Sequence, residues 1–489
     1  MTSLCDYDLC VVGGGINGAG IARDAVGRGL RVVLLEQGDL AGATSSASSK
    51  LIHGGLRYLE NFEFRLVREA LDERETLLSI APHVVWPLSF VLPYDPSMRP
   101  RWMIRLGLAL YDRLGGGRRS LPASRAIDLK MDIYGAPLSR SFETGFVYSD
   151  CWVDDSRLVV LNALDAAERG ARVLPRTACT KISALPDGAG WTVQGRASDG
   201  RSVALSARTL VNATGPWVRS FLEANGQVAP DLPAVRLVQG SHIVLPKLYE
   251  GAQAYILQQP DGRIVFALPF LGEFTLVGTT EREFTGDPAK ARIAMDETND
   301  LCAAVFRAFQ KIVSPSDIVW SFSGVRALAD SGKGAARKAS RDYTLHLDTR
   351  SGPPLLSVFG GKITTYRCLA ESALARLFPQ SRPWTAGAPL PGGDIGPGGF
   401  EGFLNRQAAR WPFLPAPLLW RYARAYGTRM ERFLDGARAM EDLGKLVFAP
   451  DLYEAEVGYL REHEFARTEE DILFRRTKRG VRAAPTALP

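Results

Sequence analysis

The chain is poor in several features that would place a protein quickly. Its 489 residues include only six cysteines, Cys5, Cys10, Cys151, Cys179, Cys302 and Cys368, and no Cys-x-x-Cys pair. That spacing argues against a disulfide framework or a structural zinc, and it suits a reducing compartment. No apolar run reaches the roughly 18 residues of a membrane span, so no transmembrane helix is expected. Residues 1–7 carry no basic residue and no long apolar stretch, so no signal peptide is expected. No internal repeat is found, and no basic motif interleaved with aromatics, so nucleic acid is not an expected partner. Charge is nearly balanced: 59 Lys and Arg against 53 Asp and Glu give a net +6. That excess is compatible with an anionic substrate or surface without specifying one.

What is present is an ordinary globular composition, 46% hydrophobic and 23% charged, over a length that accommodates two or three domains. Residues 8–12 read as a buried strand, 17–28 as a helix and 31–36 as a second strand, a βαβ opening. A helix is predicted over 62–80, with Arg68 and Asp72 spaced as an i, i+4 pair. Another helix is predicted over 157–169. Asp187-Gly188, Asp199-Gly200 and Pro260-Asp261-Gly262 mark turns between strands. Residues 233–285 read as alternating strands of a substrate-side sheet, and 288–311 as a helix.

The expected architecture is α/β. A Rossmann-like dinucleotide-binding domain over 1–388 is interleaved with β-sheet cap segments at about 62–146 and 233–330. The Pro- and Gly-rich stretch 389–399 is the expected linker, followed by an all-α domain over 400–480 and a disordered tail over 481–489.

Gly13-x-Gly15-x-x-Gly18 lies between the first strand and the first helix. The first glycine allows the tight turn, the second the approach of a pyrophosphate, and the third close helix–strand packing. Glu36 ends the second strand 18 residues after Gly18, where a carboxylate accepts from a ribose diol and repels a 2′-phosphate. NAD and FAD both use this fingerprint, but three later features favour FAD. The loop Thr44–Lys50 is rich in hydroxyls and has one cation suited to a second grip on the pyrophosphate. A strand ends in Asn212-Ala213-Thr214-Gly215. Phe359-Gly360-Gly361-Lys362 opens a late helix whose free N–H groups suit negative charge on a flavin.

Longer runs carry a resemblance. Val12–Ile21, Ala43–Glu60, Tyr148–Asp155, Val211–Val218, Gly240–Val244, Ser323–Arg326, Ser357–Lys362 and Thr364–Tyr366 resemble the bacterial respiratory, FAD-dependent sn-glycerol-3-phosphate dehydrogenases of the glycine/D-amino-acid oxidase-like superfamily. The resemblance covers most of 5–480. Ala327 departs from it where proline is expected, and the loop 330–338 is shorter and more basic. The resemblance implies oxidation of sn-glycerol 3-phosphate to dihydroxyacetone phosphate. It also implies electron delivery to a membrane quinone at the inner face of the cytoplasmic membrane, with peripheral attachment. A homodimer is left open.

Oxidising a secondary alcohol requires a base for the hydroxyl proton while hydride leaves for the flavin. His53, beside the Ser-rich loop, is the first candidate base and His242 the second; His83 and His463 are assigned to the surface. Placed by resemblance, Arg57, Arg326, Arg341 and Lys362 face the substrate, with Tyr58 and Thr279 as hydroxyl donors; Arg326 and Lys362 also count as catalytic candidates. The expected cofactor contacts are Gly13, Gly15, Asn17, Gly18, Glu36, Thr44, Ser45, Ser46, Ser48, Lys50, Leu51, Gly215, Gly361, Lys362, Ile363 and Thr364. No metal is expected. Residues 99–119 mix arginines with Trp102, Met103, Ile104, Leu106 and Leu110, and Arg475, Arg476, Lys478 and Arg479 form a second basic group. Each reads as a membrane-surface patch or as a solvated face.

Three rivals stay open: an oxygen-using oxidase on the same substrate, an amino-acid oxidase-like flavoenzyme, and a non-catalytic protein that kept the fold.

Overall fold

The computed structural model describes residues 5–97, 99–115, 120–330, 342–350 and 352–483. Strand Tyr7–Val12 is four-residue apolar at its inner end and completely covered there, so it takes the centre of an eight-stranded sheet. It pairs in parallel with Val32–Leu35 on one side and Ser202–Asn212 on the other; Leu355–Phe359 extends the parallel run beyond Ser202–Asn212 and Arg172–Leu174 beyond Val32–Leu35. Near-continuous apolar strands of this kind need cover on both faces. Helices Ile16–Gly27, Asp155–Glu168 and Tyr366–Leu377 contribute to the core beside it.

A second sheet of ten strands runs through Ala234–Pro246, Phe274–Gly278, Ile264–Phe270, Ala254–Gln258, Val85–Pro93 and Thr144–Val153 to the short strand Leu51–Ile52. Trp320–Asp330 pairs antiparallel along Ala234–Pro246, from Ala234 opposite Asp330 to Val244 opposite Trp320. Ala327 therefore sits inside a paired strand, opposite Leu237. One face of this sheet packs on helix Met295–Ala308, which is shorter than the helix expected over 288–311 because Pro288–Lys290 forms a separate 3-10 turn. The three turn signals lie where hairpins close, and Arg68 approaches Asp72 at 3.9 Å.

The C-terminal region is less continuously helical than its composition suggests. Helices Gly399–Arg410, Ala416–Tyr426 and Glu454–His463 enclose a separate aromatic core, but a 3-10 turn at Met440–Leu443 and a bridge between Leu446 and Tyr453 interrupt them. The stretch before it packs rather than hangs: Leu390 is buried and donates from its N–H to Ile80 O at 2.8 Å. The expected tail is also corrected at its start, since Gly480–Ala483 is helical and Val481 is buried; residues 484–489 lie outside the described ones. His83, assigned to the surface by sequence, is fully buried. Burial, with Arg157 and Arg424 nearby, pushes its pKa down to about 3.

Candidate active site

The cleft between the two sheets holds one large cavity of about 2170 Å³, beyond the roughly 300–1,000 Å³ of a single small-molecule pocket. Its first wall is the glycine turn. Gly13 has φ +113°, and a Cβ there would lie 2.4 Å from Ala213 O. At Gly18 a Cβ would lie 1.9 Å from Gly13 O, so this glycine serves the helix–strand approach and does not border the cavity. Ser45 Oγ accepts from Ile16 N at 3.0 Å at the start of the helix. The Glu36 carboxylate accepts from Gly14 N at 2.6 Å and Gly38 N at 2.7 Å, which fixes it on the cavity wall with acceptor capacity to spare. Burial raises its pKa, against those two N–H bonds. A close-approach glycine, a helix start and a fixed carboxylate in one cleft suit the pyrophosphate and ribose of a dinucleotide.

The second wall is the turn at Gly360 and Gly361, both with positive φ. Asn17 Nδ2 donates to Gly360 O at 3.2 Å, and a Cβ on Gly361 would lie 2.7 Å from that nitrogen. The first helix and the late turn thus dock on each other across most of the chain. The Ser-rich loop closes the space between them. Thr44 Oγ1 donates to Val325 O at 2.6 Å, and Ser46 Oγ to Ala43 O at 3.2 Å.

Of the described positions expected at the cofactor, all but Gly18 and Lys50 border the cavity. Lys50 is a correction. Its ammonium is buried away from the cavity, donating to both Asp155 oxygens at 2.9 and 3.0 Å and to Ser46 O at 3.0 Å. Burial lowers its pKa while Asp155 opposes the shift. Ser48 also donates to Asp155, at 2.7 Å, so this pair braces the loop from behind.

At the far end the cavity is bordered by His53, Tyr58, Thr279, Arg326 and Lys362. The buried Lys362 ammonium lies 3.8 Å from the centre of the Tyr58 ring and has no hydrogen-bond partner among the described residues. Arg326 Nη2 donates to Thr279 Oγ1 at 3.4 Å, and Glu281 lies 4.0 Å from Nη1. Gly240 leaves room for this pair, since a Cβ would come within 2.6 Å of Thr279 Oγ1 and 2.8 Å of Arg326 Nη2. The backbone of Arg57 lies in the 3-10 turn Leu56–Asn61, but its side chain and the whole of Arg341 lie outside the described residues, as does the loop 331–338.

His242 does not border the cavity. It stacks on Phe322 with centroids 4.8 Å apart, and its Nε2 lies 2.9 Å from Ser49 Oγ, which does border it. Burial first, then Arg326 and Lys50, holds its pKa well below the usual histidine range. An imidazole held neutral one residue behind the wall has Ser49 as its hydrogen-bonding neighbour toward the cavity.

Sequence reasoning did not place three groups at the site, although Met103, Ile104 and Arg475 read as parts of surface patches. Tyr111 accepts from Gly54 N at 2.8 Å, next to His53, and donates to Asp150 at 2.8 Å, which pairs with Arg74 at 2.9 Å. Burial pushes the Asp150 carboxyl up to about 6, against Arg74 and Tyr111. Met103, Ile104 and Gly107 of helix Arg101–Leu114 line a branch of the cavity with Leu59 and Leu92, while Trp102 and Leu106 on the same helix are exposed. Thr468, Glu470, Phe474 and Arg475 border the opposite end, beside Glu36–Asp39 and Arg176. Helical amphipathicity was the one available signal, and only for the second group.

Comparison with known proteins places this arrangement. The sequence profile described as FAD dependent oxidoreductase matches residues 8–367, and that described as the C-terminal domain of alpha-glycerophosphate oxidase matches 384–488. The chain is 54% identical to a glycerol-3-phosphate dehydrogenase of Pseudomonas aeruginosa, over 98% of its own length and 93% of the relative's. It is 51% identical to a D-erythritol 1-phosphate dehydrogenase of Brucella abortus, over 96% and 94%. Among solved structures, glycerol-3-phosphate dehydrogenase from Bacillus halodurans complexed with FAD superposes with a TM-score of 0.77 at 27% identity, over 97% of this chain and 86% of that one.

Proposed function

The chain belongs to the FAD-dependent oxidoreductase family, and from that premise we propose that it oxidises sn-glycerol 3-phosphate to dihydroxyacetone phosphate and passes the electrons to a membrane quinone. The observation that carries the substrate class is the pair of cations, Lys362 and Arg326, that border the cavity together with Tyr58 and Thr279. A phosphate monoester is an anion suited to Lys362, and Arg326 and Thr279 add directional donors beside Glu281. Bound FAD supplies the hydride acceptor. The protein anchors the phosphate, turns the alcohol carbon inward and removes the hydroxyl proton. His53 is the base in this reading because it borders the cavity and His242 does not.

D-erythritol 1-phosphate is a second reading, supported by the relative at 51% identity. The two substrates share the phosphate and differ by one CHOH unit, a change that a largely apolar pocket wall discriminates by only about 1–3 kcal/mol. Anaerobic mixing of the purified holoprotein with each polyol phosphate, and with glycerol, separates the readings. The expected result is rapid bleaching of the visible flavin band by sn-glycerol 3-phosphate, slower bleaching by the tetritol phosphate and none by glycerol. Faster bleaching by D-erythritol 1-phosphate would reassign the substrate, and bleaching by glycerol would remove the anion anchor.

For the acceptor, helix Arg101–Leu114 is the supporting feature. Trp102 is 65% and Leu106 61% exposed, with Phe62 at 79% nearby in sequence to the cavity turn, while the helix's other side lines the apolar branch described above. Among the described residues no helix is long and apolar enough to cross a membrane, so this face is read as lying on the bilayer and admitting a lipophilic quinone under the helix. Each large apolar side chain moved out of water is worth roughly 1.5–3 kcal/mol. The double variant W102E/L106E should therefore lose about a hundredfold or more in binding to anionic vesicles, with flavin reduction by substrate intact. Undiminished co-sedimentation would move the membrane face elsewhere.

A further inference from the structure

The end of the cavity beyond Glu36 is closed by a segment some 430 residues later in the chain, and it is closed by ion pairs rather than by apolar packing. Asp39, three residues past Glu36, is buried and takes bonds from two consecutive arginines. Arg475 Nε donates to its Oδ2 at 2.6 Å; Arg476 Nη1 and Nη2 donate to Oδ2 and Oδ1 at 2.7 and 2.8 Å. These arginines, read from sequence as part of a surface patch, are not one: Arg476 is 1% exposed. Successive residues of an α-helix point about 100° apart and rarely meet one carboxylate. Here Asp471–Arg476 is a π-helix, and its wider turn brings both to Asp39; such turns are frequent at functional sites.

The same segment grips the other side of the opening. Asp471 accepts from Arg176 at 2.8 Å on both oxygens, and Arg176 N donates to Gly38 O at 2.8 Å. Arg475 also donates to Glu470 at 2.7 Å and to Asp471 at 2.6 Å. Three arginines and three carboxylates of this cluster thus balance, so it adds no net charge beside Glu36 and is rich in fixed donors and acceptors. That suits the nucleoside half of a dinucleotide better than its phosphates. Farther along, Lys478 pairs with Asp154 and donates to Ser156 Oγ at 2.8 Å, beside the Asp155 that braces the Ser-rich loop. The C-terminal domain therefore holds both loops that enclose the cofactor end of the cavity.

We propose that the segment Thr468–Arg476 of the C-terminal domain is the outer wall of the site for the cofactor's adenosine half and a latch that retains FAD. The inference rests on the family's FAD reading and extends it to residues outside the matched FAD domain. Two variants test it, each read by fluorescence titration of the apoprotein with FAD and by FAD release on dilution. R475Q removes the bonds to Asp39, Glu470 and Asp471, and loss of charge-assisted bonds of this kind should raise the dissociation constant roughly tenfold or more. T468W places an indole at an exposed wall position; it gives up the long Thr468 Oγ1 contacts with Asp471 N and Arg176 Nη2, at 3.3 and 3.4 Å, but keeps every guanidinium and carboxylate of the cluster, and it should speed FAD release by intruding on the site. Circular dichroism of the apoproteins reports folding separately. FAD affinity and release within about twofold of wild type in T468W, or in folded R475Q, would overturn the latch. If the unmodified protein took up no FAD at all, the cofactor reading itself would fail instead.

Discussion

In His53→Ala, anaerobic reduction of the flavin by sn-glycerol 3-phosphate slows by a factor on the order of 10²–10⁴, the range set by loss of a positioned acid–base group. The side chain borders the cavity, and backbone N–H groups of the loop that carries it are bonded to neighbouring side chains. The His53 N–H donates to Thr364 Oγ1 at 3.3 Å, and the neighbouring Gly54 N–H donates to Tyr111. Tyr111 is fixed in turn by Asp150 and Arg74. Truncation therefore removes the ring and leaves its loop, so FAD retention should stay near wild type while the rate falls. His242→Ala is the comparison. Its ring meets the cavity only through neighbours, Ser49 as the proton-carrying one and Phe322 as a stacked ring, so it should slow reduction less than His53→Ala. Reduction at the wild-type rate in His53→Ala, together with a large loss in His242→Ala, would route the proton through Ser49 to His242.

The features legible in the sequence are those set by short-range geometry. A glycine at which a Cβ would lie 2.4 Å from Ala213 O leaves a fixed motif between a strand and a helix, and the Glu36 carboxylate follows at a spacing dictated by one βαβ unit. Gly361, positioned by its contact with Asn17, is legible for the same reason. Charge roles are not local in this way. Lys50 sits in a hydroxyl-rich loop that suggests a phosphate grip, yet Asp155, 105 residues away, takes its ammonium out of the cavity. Arg475 and Arg476 look solvated because their partner, Asp39, lies more than 430 residues earlier. His83 gave no sign of burial, since one polar residue between apolar neighbours reads equally as surface or core. In each case the missing information is which distant segment folds against the residue, and periodicity does not encode it.

Lys362→Met is expected to raise the dissociation constant for the polyol phosphate by roughly 30- to 4,000-fold, from the 2–5 kcal/mol lost when one partner of a close charge pair is truncated. The argument begins with cost. A buried ammonium with neither hydrogen bond nor ion pair among the described residues is unfavourable, and the Tyr58 ring 3.8 Å away offsets only about 0.5–2 kcal/mol of it. Among the described residues no carboxylate forms an ion pair with it; the Glu69 carboxyl, raised chiefly by burial, feels the Lys362 charge from farther away. A site that keeps such a cation gives up stability in the empty state and recovers it when an anion arrives. Methionine fills similar space without the charge. It should therefore raise the unfolding midpoint of the ligand-free protein while abolishing tight substrate binding, two opposite effects that simple misfolding would not produce. Inorganic phosphate should compete with substrate in the wild type and lose that competition in the variant. Arg326→Ala should also weaken binding, but less, because Glu281 at 4.0 Å already draws on its charge and a third of its side chain meets solvent. Unchanged substrate affinity in Lys362→Met with a slowed reduction step would place the ammonium at the flavin ring instead of the phosphate. Unchanged values for both would leave the buried charge without a function and remove the observation on which the substrate class stands.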